Sequence, residues 1–86
     1  MRGHFTMLKE DLLSATLDAR GLNCPLPILK TKKALKEVSI GDTLKVLTTD
    51  PGSVKDMEAF SRTTGNDLIE SLQDGTTYTF LIRRKA

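Results

Sequence analysis

The sequence predicts an α+β fold, a four-stranded mixed sheet with two helices packed on one face, in the order β-α-β-α-β-β. Three observations carry this prediction. Four short segments alternate apolar and polar residues or are bounded by turn signals. Two segments between them repeat apolar residues at helical spacing, and both open on proline-bearing stretches of the kind that start helices. At 86 residues the chain reads as a single domain over residues 13–86, preceded by an N-terminal extension over residues 1–12. A chain this short buries roughly 60% of its unfolded-state surface, and its one cysteine forms no intramolecular disulfide, so packing must supply the stability.

Residues 1–12 show no clear period and are read as a tail or a short frayed helix without function. From Leu13 the chain alternates, with Leu13, Ala15, Leu17 and Ala19 set against Ser14, Thr16, Asp18 and Arg20, as in a strand with one buried face. Gly21 to Asn23 is a loop. A helix is expected from Pro25 to about Val38, with Ile28, Thr31, Ala34, Leu35 and Val38 in one arc and the lysines opposite. Gly41-Asp42 ends it, and Thr43 to Thr49 is the second strand. Asp50 is a natural N-cap for a second helix with Pro51 at its first position. Val54, Met57, Phe60 and Ser61 form its core stripe and Gly65 its C-terminal stop. Leu68 to Gln73 is the third strand, Asp74-Gly75 the hairpin turn, and Thr76 to Arg83 the fourth strand, with Tyr78, Phe80 and Ile82 on one face. The first β-α-β unit is expected to be a right-handed crossover. If its strands are parallel, Cys24 and Asp50 follow strand ends on the same rim, the usual place for a site.

Composition narrows the function classes. The longest apolar runs are a few residues, far below the ~18 of a membrane span. Met1 to Leu13 has no apolar core of a signal peptide, being interrupted by Lys9, Glu10 and Asp11. A single unpaired cysteine without an export signal points to the cytoplasm. The net charge of +2 is unevenly placed: Arg20, Lys30, Lys32, Lys33 and Lys36 stand against Glu37 alone in residues 20–37, and Arg83, Arg84 and Lys85 form a second cluster. Such an excess favours acidic partners.

Cys24, in Gly21-Leu22-Asn23-Cys24-Pro25-Leu26-Pro27, is the residue most suited to chemistry. First-turn N–H groups have no intrahelical partner, so Pro25 and Pro27 are tolerated there. Pro25 pushes the preceding residue out of the helical region, which places Cys24 at the N-cap. The dipole, Arg20 and the lysines are then expected to lower its thiol pKa. The missing proline donors limit that shift, and Asp50 opposes it unless its charge is engaged elsewhere. The remaining composition restricts what a thiolate could do. His4, in the tail, is the only histidine, so cysteine-hydrolase chemistry lacks its base. Dithiol redox chemistry lacks a resolving cysteine, and a zinc site lacks ligands. Taking up a sulfur atom as a Cys24 persulfide and passing it to a partner's thiol needs only what is present.

Leu17-Asp18-Ala19-Arg20-Gly21-Leu22-Asn23-Cys24-Pro25-Leu26-Pro27, with Leu29, Lys32 and Lys33-Ala34-Leu35 after it, resembles the TusA (SirA-like) sulfur-carrier family. The similarity continues through Thr49-Asp50-Pro51-Gly52-Ser53 and Gly65 and spans Ala15 to Arg83. It implies a two-layer α/β sandwich, a persulfide on Cys24, and a relay carrier rather than a stand-alone turnover enzyme, with no metal or organic cofactor. It implies a cysteine desulfurase or rhodanese-type protein as donor and a reactive cysteine on an acceptor. In the family, acceptors feed tRNA thiolation, molybdenum-cofactor synthesis or sulfur oxidation.

Around Cys24, the residues expected to shape the site are Arg20, Gly21, Pro25, Pro27 and Asp50. Leu26 and Leu29 fall on the helix face opposite the core stripe, among Lys30, Lys33 and Lys36. Apolar residues framed by lysines beside a thiol form a candidate docking patch for acidic partners; the bland alternative is a solvated face covered by the loop or the tail. Two other functions compete. An RNA-binding module would use the basic helix and Arg83-Arg84-Lys85, but no aromatic residues interleave with those cations. A regulatory protein would use Cys24 as a redox sensor.

Overall fold

Alternation decides which way each strand faces. In the computed structural model, which describes residues 15–86, Leu44, Val46 and Thr48 of the strand β2 (Thr43–Thr48) are buried, whereas Thr43, Lys45 and Leu47 are half-exposed. The flanking elements are β1 (Ala15–Ala19), α1 (Leu26–Leu35), α2 (Ser53–Thr64), β3 (Asp67–Asp74) and β4 (Thr77–Arg83). Element order and class are those read from the sequence. The extension over residues 1–12, and Leu13 as the first strand residue, lie outside the described residues.

The sheet order is β1-β2-β4-β3, with β1 parallel to β2 and the other pairs antiparallel. Parallel neighbours need a crossover, and α1 supplies it. Both helices lie on the buried face. Leu35 and Val38 from the α1 side, Met57 from α2, Leu44 and Val46 from β2, and Phe80 and Ile82 from β4 form one core. Met57 and Phe80 are fully buried, each stabilising the fold by about 1.5–3 kcal/mol. The outer face of the sheet carries exposed Leu72, and Ile69 is exposed at the irregularity in β3, so the architecture has two layers.

Three of the boundaries that differ from expectation have an identifiable cause. α1 stops at Leu35 rather than Val38, because Lys36, Glu37 and Val38 donate to Lys33, Ala34 and Leu35, tightening the last turn. The Arg84 guanidinium donates to the carbonyls of Lys36 at 3.1 Å and Val38 at 2.7 Å and closes that end. α2 begins at Ser53 with Gly52 as its N-cap, not at Pro51 with Asp50 as cap. The Asp50 carbonyl accepts the Ser53 N–H at 2.9 Å and the Ser53 hydroxyl at 2.6 Å, so Asp50 to Ser53 is a turn that precedes the helix. The hairpin loop is Gly75-Thr76 rather than Asp74-Gly75, since Asp74 still pairs with Thr77. Gly75, at φ +63°, takes the first loop position, where primed turns need a positive φ. Gly65 ends α2 as expected, in a left-handed conformation with its N–H on the Ser61 carbonyl. Among the described residues no helix is long and apolar enough to cross a membrane.

Candidate functional site

Ala19 and Thr48 are register partners at the carboxyl ends of β1 and β2, so the loops that follow these strands share one rim of the sheet. Backbone donors from the first loop reach side-chain acceptors in the second. Gly21 donates to the Thr49 hydroxyl at 2.9 Å, and Cys24 donates its N–H to Asp50 Oδ2 at 3.0 Å. Gly21 turns the chain there at φ +84°, a conformation costly for residues with a Cβ. The other oxygen of Asp50 accepts the Gly52 N–H at 3.2 Å. Beneath this, the Thr48 and Ser53 hydroxyls share a buried 2.6 Å hydrogen bond. The backbone of Cys24 is therefore anchored while its thiol is exposed and in no disulfide.

The thiol opens onto a groove of about 450 Å³ between the two helices, floored by Pro25, Ile28 and Phe60 and continuing past Leu29, Lys32, Ala59 and Thr63. Asp56, in the first turn of α2, stands at the same groove. It is an open, mostly apolar trough whose lining includes a thiol, a carboxylate and an ammonium.

The electrostatics reverse one expectation. The Cys24 thiol is raised above its ordinary pKa, not lowered. The neighbouring Asp56 carboxylate, which favours the protonated thiol, is the largest cause, followed by loss of hydration and the charges of Asp56 and Asp50. The expected helix-dipole effect is weak because the N-cap is Pro25, not Cys24. Pro25 and Pro27 have no N–H, and the Leu26 N–H donates to the Asn23 carbonyl at 2.8 Å. Arg20, expected to assist, is turned to its own strand. Its guanidinium makes two 2.8 Å bonds to Asp18, whose carboxyl is held down at about 2 by that pairing.

The structure thus brings Gly21, Cys24, Pro25, Leu29 and Asp50 to this end of the fold and sets the other expected residues apart. Pro27 is buried beneath the start of α1, and Leu26 is 44% exposed outside the groove. Leu29, 55% exposed, forms the groove's lip. Lys30 and Lys33 stand on the opposite flank of α1, beside Leu17, Ala34 and Glu37. Lys36 lies at the far end of the helix, near Arg84 and Ala86. The exposed face of α1 therefore borders α2 on its Leu29 side and β1 on its Lys30 side. Sequence reasoning did not single out Thr49, Asp56 or Thr63 for the site, and it assigned Phe60 to the core alone. Asp56, a half-buried acid in the first turn of α2, was the available signal.

Comparison with known proteins gives a consistent result. The family model described as Sulfurtransferase TusA matches residues 15–84. A sulfur carrier protein TusA from Allochromatium vinosum is 57% identical over 68 residues, 79% of this chain and 90% of that protein. A protein of the same description from Pseudomonas entomophila is 42% identical over 72 residues, 84% of this chain and 90% of that one. The crystal structure of a SirA-like protein from Desulfitobacterium hafniense superposes with a TM-score of 0.72 at 28% identity, covering 84% of this chain and 99% of that one.

Proposed function

The chain belongs to the TusA sulfurtransferase family, and from that premise we propose that it is a sulfur carrier that holds sulfane sulfur as a persulfide on Cys24. The observation that carries the reading is a free, exposed thiol on an anchored backbone at the head of an open groove. A carrier has to present its sulfur to two proteins in turn, and this placement leaves it reachable by both.

The Cys24 sulfur attacks the outer sulfur of a donor persulfide on a cysteine desulfurase or rhodanese-type protein. A new S–S bond forms on Cys24 and the donor's S–S bond breaks, releasing the donor's thiolate. An acceptor cysteine then attacks the outer sulfur of Cys24 persulfide and regenerates the thiol. Rates follow thiol–disulfide rules, in which thiolate fraction and leaving-group pKa both count. Because the resting thiol is raised, the free carrier holds less thiolate than an ordinary cysteine would. Acidic partners dock on the lip formed by Leu29 with Lys32, with Leu26 beside it; Lys30, Lys33 and Lys36 add a longer-range attraction rather than contacts at the sulfur.

The test is intact mass after incubation with a cysteine desulfurase and cysteine, and separately with a rhodanese and thiosulfate. Gain of one sulfur, reversed by reductant and absent in Cys24→Ala, is expected. A reduced protein that gains no sulfur from either donor, while Cys24 still alkylates, overturns the carrier reading.

A further inference from the structure

We propose that Asp56 is the proton gate of Cys24: from the groove that both residues line, its carboxylate keeps the hydrogen on the empty carrier's thiol and receives it when the sulfur attacks. The transfer half of this inference rests on the carrier reading; the gate itself rests on the groove.

Cys24 comes from the loop after β1 and Asp56 from the first turn of α2, and the fold brings both to one groove. The Asp56 backbone is fixed there by its N–H bond to the Gly52 carbonyl at 3.2 Å, the first turn of the helix. Asp50, the other carboxylate beside Cys24, already accepts one N–H on each oxygen. Asp56 enters no ion pair among the described residues. Of the two acids it is the one available to the sulfur.

The charged groups that act on the thiol are Asp56 from α2 and Asp50 from the β2–α2 loop, and Lys32 from α1 lines the same groove. Arg20, the other nearby cation, is paired with Asp18. Two carboxylates against one ammonium favour the neutral thiol, in the same direction as its raised pKa.

The proton then has a defined course. As the Cys24 S–S bond forms and the donor's S–S bond breaks, the thiol hydrogen passes to the Asp56 carboxylate and from it to the departing donor thiolate. A thiol and a persulfide become a persulfide and a thiol, with no oxidant or reductant. In the loaded carrier the ionising sulfur lies one S–S bond, about 2 Å, beyond the original one. The gate therefore acts most strongly on the empty form, protecting an exposed thiol from stray electrophiles between transfers.

The experiment is the pH dependence of iodoacetamide alkylation of the full chain, for wild type, Asp56→Asn and Asp56→Glu. Asp56→Asn should move the midpoint to lower pH. Each unit of that shift gives about tenfold more thiolate at neutral pH, partly offset by weaker nucleophilicity, for a net gain of about threefold in rate. Asp56→Glu should keep the wild-type midpoint. In the wild type, the Asp56 side-chain carboxyl resonance should respond through the Cys24 titration, a measurement that needs no variant. An unchanged midpoint in a folded Asp56→Asn protein, or an Asp56 resonance indifferent to Cys24 ionisation, overturns the gate. Sulfur uptake by the wild type is decided separately by mass, so failure of the gate and failure of the carrier reading are distinguishable.

Discussion

Replacing Asp50 with alanine removes the acceptor for two backbone donors in two different loops, Cys24 at 3.0 Å and Gly52 at 3.2 Å. Both bonds are solvent-accessible, so each is assigned the ordinary net value of about 1 kcal/mol rather than the larger value of a buried charged bond. The loss is then about 2 kcal/mol, which in a domain of this size lowers Tm by roughly 8–16 °C at 4–8 °C per kcal/mol. Asp50→Asn keeps one acceptor oxygen, and about half that loss is expected. The bonds from the Ser53 N–H and hydroxyl go to the Asp50 main-chain carbonyl and survive either substitution, so α2 should still start at Ser53. The damage should concentrate in the Cys24 loop. Thermal unfolding measures the total, and amide hydrogen exchange locates it, with Cys24 exchanging faster than in the parent. An alanine variant that melts with the parent, or whose Cys24 amide exchanges at the parent rate, would refute the view that Asp50 ties the two loops together.

Two further outcomes are expected. Leu29→Asp, at the 55% exposed lip of the groove, should slow sulfur loading by a docked donor several-fold while shifting stability by no more than about 0.5 kcal/mol; Lys36→Glu, at the far end of α1, should change the rate much less, and equal effects would refute a docking lip near the sulfur. The Asp18 carboxyl, held at about 2 by Arg20, should titrate near its ordinary value of about 3.9 in Arg20→Gln. A depressed carboxyl favours the folded state above its unfolded pKa, and that contribution fades as pH falls from the unfolded value through about 2. NMR titration of Asp18 checks this, and a midpoint unmoved by the substitution would show that Arg20 is not the cause.

Period and punctuation were enough for the elements. The alternation of Leu44, Val46 and Thr48, the helical spacing of Val54, Met57 and Ser61, and the stop at Gly65 are local facts, and local sterics and burial enforce them. Boundaries escaped where a distant group intervened. Arg84 closes the end of α1 from 46 residues away in sequence at Val38, and nothing near Val38 announces it. The surroundings of the docking face escaped for a similar reason: a helical wheel shows one exposed face, but the neighbours decide that Leu29 borders α2 and Lys30 borders Leu17.

Sequence alone was enough to single out the candidate nucleophile. One cysteine between an asparagine and two prolines at a helix start, with no histidine or second cysteine in range of a role, leaves little other chemistry. Its ionisation belonged to the tertiary structure. Local reasoning saw a helix start and an arginine and predicted a lowered thiol. Folding turned Arg20 to Asp18, carried the N-cap to Pro25 and brought Asp56 from 32 residues downstream to the sulfur. A pKa follows the field at one atom, and that field is summed over neighbours in space, which chain order does not reveal.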